Sequence, residues 1–380
     1  MARPGRHGAR TAPDGVEVMV SVWGAVNPLS ENFAEMNQRG LLVRADRNIN
    51  VFHSLTDRYP DGPTYLHYYD ATNPEARRYL WEKIKAGYHD LGVRGYWLDA
   101  DEPEITPVTH DNLRYHLGSA LEVGCIYPLL HQQGFYEGDP ASVTLSRSAW
   151  AGSQRTGAVI WSGDIPSTFD FLSRSVRAGL SMSASGIPWW TTDIGGFLFG
   201  DTRSDTFREL IVRWFQYGVF CPVFRVHGLR EPQDLSIPGA GISGAPNEVW
   251  SFGETATPIL SHLLHLRQGL RPYLDTLNQA AHETGLPPMR PLWMAFPGDP
   301  AAWTVEDAFL LGPDLLAAPI TAEGQRSRAV YLPAGADWMD AWTGAVFSGG
   351  QTIQCPAPLE HIPVFWRTGS PFARRFDQIP

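Results

Sequence analysis

The chain has 380 residues, 43% hydrophobic and 18% charged, enough for one large domain with a full core plus a smaller one. A net charge of −10 argues against nucleic acid as a partner, and the charged fraction is too low for a disordered acidic tail. There is no apolar run of about 18 residues to span a membrane, and Cys125, Cys221 and Cys355 fit no metal or redox spacing, so they read as buried free thiols.

Met1 to Gly15 is rich in Arg, Gly and Pro without an apolar segment, which predicts a disordered lead-in rather than a secretory signal. Residues 16–23 are Val-rich and short, as buried strands are. Ser30 would cap a helix over 31–42, and residues 44–70 look irregular. Asn73-Pro74-Glu75 opens an amphipathic helix to about Asp90, stopped by Gly92. Strands are then expected near 93–98, 144–148, 158–161, 187–192 and 222–227, interleaved with helices over 168–183, 207–217 and 254–284. Strand–helix alternation with polar strand ends predicts an α/β fold, a (β/α)8 TIM-type barrel over 16–285 with six of its eight strands visible. From 286 to 380 the short strands separated by Gly and Pro predict a small all-β C-terminal domain.

The strand at 93–98 ends in Asp99, Asp101, Glu102 and Glu104, at the edge where barrel enzymes keep their chemistry. Trp161-Ser-Gly-Asp164 repeats the pattern, a Trp followed by a strand-end carboxylate. Two such carboxylates are what cleavage of a glycosidic bond requires, and some of the 14 Trp offer flat faces to sugar rings. Each residue has a plainer reading. Asp99 and Asp164 could cap helices, Arg147 and Asp193 could form a structural ion pair, and His227 could be a satisfied core histidine. Asp101, Glu102 and Glu104 could bind a divalent cation, although nothing else in the sequence supports a metal. Trp189 and Trp190 read as core, and His262 and His265 as surface or packing.

With these residues in hand, the chain resembles glycoside hydrolase family 31, which contains α-glucosidases and α-xylosidases. The resemblance rests on Tyr96-Trp-Leu-Asp-Ala-Asp-Glu-Pro-Glu104, Ser146-Arg-Ser-Ala-Trp150, Trp161-Ser-Gly-Asp164, Gly186 to Phe197, Arg213 to Gly218, Phe224-Arg-Val-His-Gly228 and Gly312 to Pro319, in that order. It implies a retaining α-glycosidase with Asp99 as nucleophile and Asp164 as acid/base, held protonated by a Trp-walled environment. Arg147 and His227 would bond the sugar, Trp97, Trp161 and Phe197 would wall its pocket, and Asp193 would stand behind them. The family usually carries an N-terminal β-sandwich and two further barrel strands ahead of the strand at 16–23, so the barrel here would comprise strands three to eight. The rival reading is a catalytically impaired fragment or remnant of such an enzyme. The resemblance implies an α-linked oligosaccharide or glycoside as substrate, no cofactor, and neither nucleic acid nor membrane as partner. Homo-oligomerisation and localisation stay open, the latter cytoplasmic if the N-terminus is genuine.

Overall fold

The computed structural model describes residues 15–51, 56–59, 62–103, 105, 110–233 and 244–379. The lead-in expected over Met1–Gly15 therefore lies, but for Gly15, outside the described residues. The chain divides into two compact units, one ending at Ile160 and the other beginning at Trp161.

The first unit is built on a parallel sheet of β1 (Met19–Trp23), β2 (Gly95–Asp99), β3 (Val143–Ser146) and β4 (Val159–Ile160), in that order. The same strands are those expected from their Val, Ile and aromatic content. Side chains alternate across β2: Tyr96 and Leu98 are buried with Val22, Ile84 and Phe135, while Trp97 and Asp99 face the other way. The helices are α1 (Phe33–Gln38), α2 (Pro74–Gly87) and α3 (Tyr127–Gly138). At α2, Asn73 accepts a bond from Glu75 N–H at 2.9 Å and Pro74 takes the first turn, while Gly92, at φ 96°, ends the segment that follows. Helix α1 is shorter than its sequence suggests and starts after Asn32, not Ser30. Sequence reading passed over α3. Its apolar and polar residues alternate too weakly for a periodic signal, because it is buried along most of its surface. The region 44–70 is not wholly irregular; it contains short ladders such as Thr56–Tyr59 with Gly62–Tyr65.

In the second unit, α4 (Phe169–Ala184) and α5 (Asp205–Val219) are capped by the side chains of Thr168 and Ser204. The long helix expected over 254–284 is two, α6 (Ala256–Gly269) and α7 (Arg271–Thr284). Pro272 in the first turn of α7 cannot donate to the turn before it. The segments 187–192 and 222–227, expected as strands, contain no assigned strand; Trp190 is a lone bridge residue, 222 and 223 are bends, and Val223 N–H bonds Trp190 O at 3.1 Å. Pro188 and Pro222 remove two of the donors a regular ladder would use.

The C-terminal strands are β5 (Met289–Pro291), β6 (Phe309–Leu311), β7 (Leu315–Ala317), β8 (Ser327–Leu332), β9 (Asp337–Asp340), β10 (Val346–Ser348), β11 (Gln351–Pro356) and β12 (Val364–Arg367). All pair antiparallel: β5-β6-β7-β12-β9-β10 form one sheet, and β8 and β11 a separate two-stranded ladder. Their inner faces bury Leu310, Leu316, Trp338 and Phe365. All three cysteines are free; Cys221 and Cys355 are buried as expected, but Cys125 is exposed.

Candidate active site

Asp99 closes β2 on the same face as Trp97. The next residue, Ala100, is buried at φ 50°, a left-handed conformation unusual for a residue with a Cβ. That turn aims the Ala100 N–H at Asp99 Oδ1, 2.8 Å away, and sends Asp101 inward to complete burial. From the end of β3, Arg147 places Nη1 3.4 Å from Asp99 Oδ1 and gives Nε and Nη2 to Glu102 Oε2 at 2.8 and 2.6 Å. Ser148 Oγ donates to the other Glu102 oxygen. One guanidinium thus spans the carboxylates of Asp99 and Glu102, as a planar fork can.

Asp101 accepts from Ser148 N–H at 3.0 Å and is hydrogen-bonded to Ser146 Oγ. Burial pushes its carboxyl well above the usual carboxylate range, with the neighbouring charge of Glu102 adding to the effect. Asp101 and Glu102 are thereby committed to protein partners, and Glu104 lies outside the described residues. Among the described residues no group of His, Cys, Asp or Glu is placed to hold a metal ion. Glu102 and Ser148 also line a pocket of about 550 Å³, walled by Tyr115, Leu121 and Trp150.

In the second unit the expected residues gather around Asp193. Asp193 is fully buried, and its Oδ1 accepts from Arg225 Nη1. Burial outweighs that partner and pushes the carboxyl up to about 7, and the charge of Asp164 pushes the same way. The guanidinium of Arg225 lies 5.5 Å from the ring centre of Trp161, which is itself buried. Asp164 is exposed, so the enclosure expected around it is absent within this unit; Thr168, not Asp164, caps α4. Phe197 stacks on His227, ring centres 5.3 Å apart. His227 is pushed down to about 4 by burial and by the charges of Arg225 and Arg230, which keeps its imidazole neutral near pH 7.

The turn after Asp193 depends on glycine. Gly195 and Gly196 have φ 91° and 76°, and a Cβ on Gly196 would stand 2.6 Å from Ser167 Cα. Arg230, buried, clamps that turn by donating to Ile194 O and Gly196 O, each at 2.7 Å. Sequence reading gave no role to Glu102 beyond a cation, and none to Ser148, Arg225 or Arg230. Arg225 stood in the same short block as His227, but its partner is 32 residues earlier, a spacing that carries no signal.

The parallel strands, the strand-end carboxylates and the antiparallel C-terminal sheet define a (β/α)-barrel hydrolase scaffold with an all-β appendage. The model for the TIM-barrel domain of glycosyl hydrolases family 31 matches residues 6–277, and that for the family's C-terminal domain matches 285–370. The chain belongs to glycosyl hydrolase family 31. It is 36% identical to α-xylosidase A of Aspergillus niger, across 92% of this chain and 53% of that protein. It is 33% identical to an α-xylosidase of Saccharolobus solfataricus, across 94% and 45% respectively. Among solved structures, a family 31 α-xylosidase from a soil metagenome, complexed with xylose, superposes with a TM-score of 0.92. It is 47% identical and is matched over 97% of this chain and 55% of that one. The chain spans about half the length of the curated relatives it matches.

Proposed function

We propose that this chain carries the chemistry of a retaining α-glycosidase, with an α-xyloside or α-glucoside as substrate. The observation that carries the reading is Asp99, at the end of β2, whose Oδ1 accepts from Ala100 N–H with Arg147 Nη1 beside the same oxygen. In this mechanism an oxygen of Asp99 bonds to the anomeric carbon as the carbon–oxygen bond to the leaving group breaks. Asp164 gives its proton to the departing oxygen, then takes one from the water that cleaves the glycosyl ester. Retention requires the two carboxyl groups to work about 5–5.5 Å apart. Arg147 supplies positive charge beside the nucleophile, and neutral His227 with Phe197 offers a hydroxyl partner and an apolar wall to the sugar. Two relatives named as α-xylosidases support xylose, and another named α-glucosidase 2 supports glucose. The pocket walled by Tyr115, Leu121 and Trp150 suits an apolar leaving group.

The test is hydrolysis of aryl α-xyloside and aryl α-glucoside by the chain, beside Asp99→Ala and Asp164→Ala. Turnover abolished in Asp99→Ala, and a fluorinated glycosyl donor trapped on the peptide containing Asp99, is the expected result. Soluble wild type without turnover, or a label on another residue, rejects the reading.

A further inference from the structure

Ser146 Oγ sits at the centre of three contacts, two of them to acceptors that a single hydroxyl hydrogen cannot both serve. Gln132 Nε2 donates to Ser146 Oγ at 2.7 Å and to Ser148 O at 2.8 Å. Ser146 Oγ itself lies 3.0 Å from Ser148 O, a pure acceptor, and is also bonded to Asp101 Oδ2. The hydroxyl has one hydrogen, so it can donate to the carbonyl or to the carboxyl, not both. All three contacts of Ser146 Oγ are hydrogen bonds only when the carboxyl of Asp101 supplies the second hydrogen.

The surroundings agree. Asp101 is fully buried, and its other oxygen accepts from a neutral donor, Ser148 N–H. The charged and titratable groups facing it are Glu102 on its own loop, Arg147 at the end of β3, and Tyr69 from the segment before α2. The positive charge of Arg147 favours ionised Asp101, but Arg147 bonds Asp99 and Glu102, and burial with the negative charge of Glu102 outweighs it. A buried charge without a cation of its own is costly, and protonation removes that cost.

We propose that Asp101 is a neutral carboxylic acid in the folded chain, and that its hydrogen bonds fix Ser146-Arg147-Ser148 so that Arg147 meets Asp99 and Glu102. Asp101 is thus a positioning residue: it touches the backbone and hydroxyl on either side of Arg147 and never the reacting atoms. The activity part of this inference rests on the proposed role of Asp99; the protonation state does not.

Protonation is read by infrared spectroscopy of the chain with 13C-labelled aspartate. A protonated carboxyl component that persists to about pH 7 in wild type, beside that of Asp193, and is lost in Asp101→Asn is expected. In parallel, melting temperatures of wild type and Asp101→Asn are compared from about pH 5 to 7. In the unfolded chain Asp101 ionises near 4, whereas the folded chain keeps the proton. Wild type therefore loses up to about tenfold in its folding equilibrium per pH unit relative to the Asn variant. A gap that does not move with pH, or a band unchanged by Asp101→Asn, overturns the proposal. So does an Asp101→Asn chain that cannot fold, because Asn offers the same donor and acceptor. If the chain turns over substrate, Asp101→Ala lowers kcat about 10- to 100-fold by releasing Arg147, with Asn restoring most of it. An ionised Asp101 in an active chain sinks this proposal and leaves the glycosidase reading standing. A protonated Asp101 in an inactive chain does the reverse.

Discussion

His131, on α3, is a buried imidazole with a structural role, its Nδ1 bonded to Tyr69 Oη. Burial pushes it down to about 3, so it is neutral in the fold. In the unfolded chain it would titrate near 6.5. A histidine depressed in this way contributes its stability in full above the unfolded value and loses it as pH falls toward the folded one. His227, pushed down to about 4, adds in the same direction. These two histidines should therefore withdraw stability on acidification below about pH 6.5, by at most ~1.4 kcal/mol per pH unit each, against the opposite slope of the raised carboxyls Asp101 and Asp193. His131→Gln keeps an oxygen that can accept from Tyr69 but has no proton to gain. Its melting temperature should lie below that of wild type near neutrality, and the gap should close toward pH 5. Parallel curves over that range would show that His131 takes up its proton in the fold as readily as in the unfolded chain.

Helix α5 shows what an element needs beyond its own periodicity. Its start was legible to within a few residues, because Phe207, Leu210, Ile211, Trp214 and Phe215 repeat at helical spacing. The use it makes of Arg213 was not. Arg213 is fully buried, and its two terminal nitrogens donate to the carbonyls of Pro358, His361, Gln325 and Ala357. Those carbonyls belong to loops more than 110 positions away, so no window of sequence connects them to the helix. Burial pushes the guanidinium down to about 10, which leaves it charged at any working pH. Arg213 thus ties α5 to the loops bounding the C-terminal strands by filling lone pairs that water cannot reach. Replacing it with Met keeps much of the volume and strands four carbonyls. At about 1–3 kcal/mol for each buried group left unsatisfied, less what relaxation returns, Arg213→Met should cost ~3–5 kcal/mol in urea unfolding. Arg213→Lys, with three donors, should recover part of that. A loss under about 1 kcal/mol would mean that water or repacking serves these carbonyls instead.

At the scale of the molecule, the sequence yielded the parallel sheet and Asp99 at the end of β2, because strand content and strand-end polarity are local properties, whereas Asp164 lies four residues past the end of β4. It could not yield the sharing of Arg147 between Asp99 and Glu102, which follows from a left-handed Ala100 that no residue preference announces. Nor could it exclude strands at 187–192 and 222–227, where composition favours a strand and proline removes the ladder. The parallel sheet gives self-association between copies a location. Among the described residues β1 pairs with β2 alone, so its other side presents backbone donors and acceptors along an edge. Met19 and Trp23 on that strand are 42% and 38% exposed, and Val16 just before it 53%. An apolar edge favours pairing between copies, while the net charge of −10 opposes close approach. The balance should therefore move with ionic strength. Light scattering should show a mass that rises with protein concentration, and more steeply at about 0.5 M salt than at 0.05 M, where repulsion reaches farther. Met19→Gln with Trp23→Gln leaves the edge but removes its apolar side chains, and should shift the mass toward the monomer. A monomeric mass independent of concentration and salt would mean that the edge is covered.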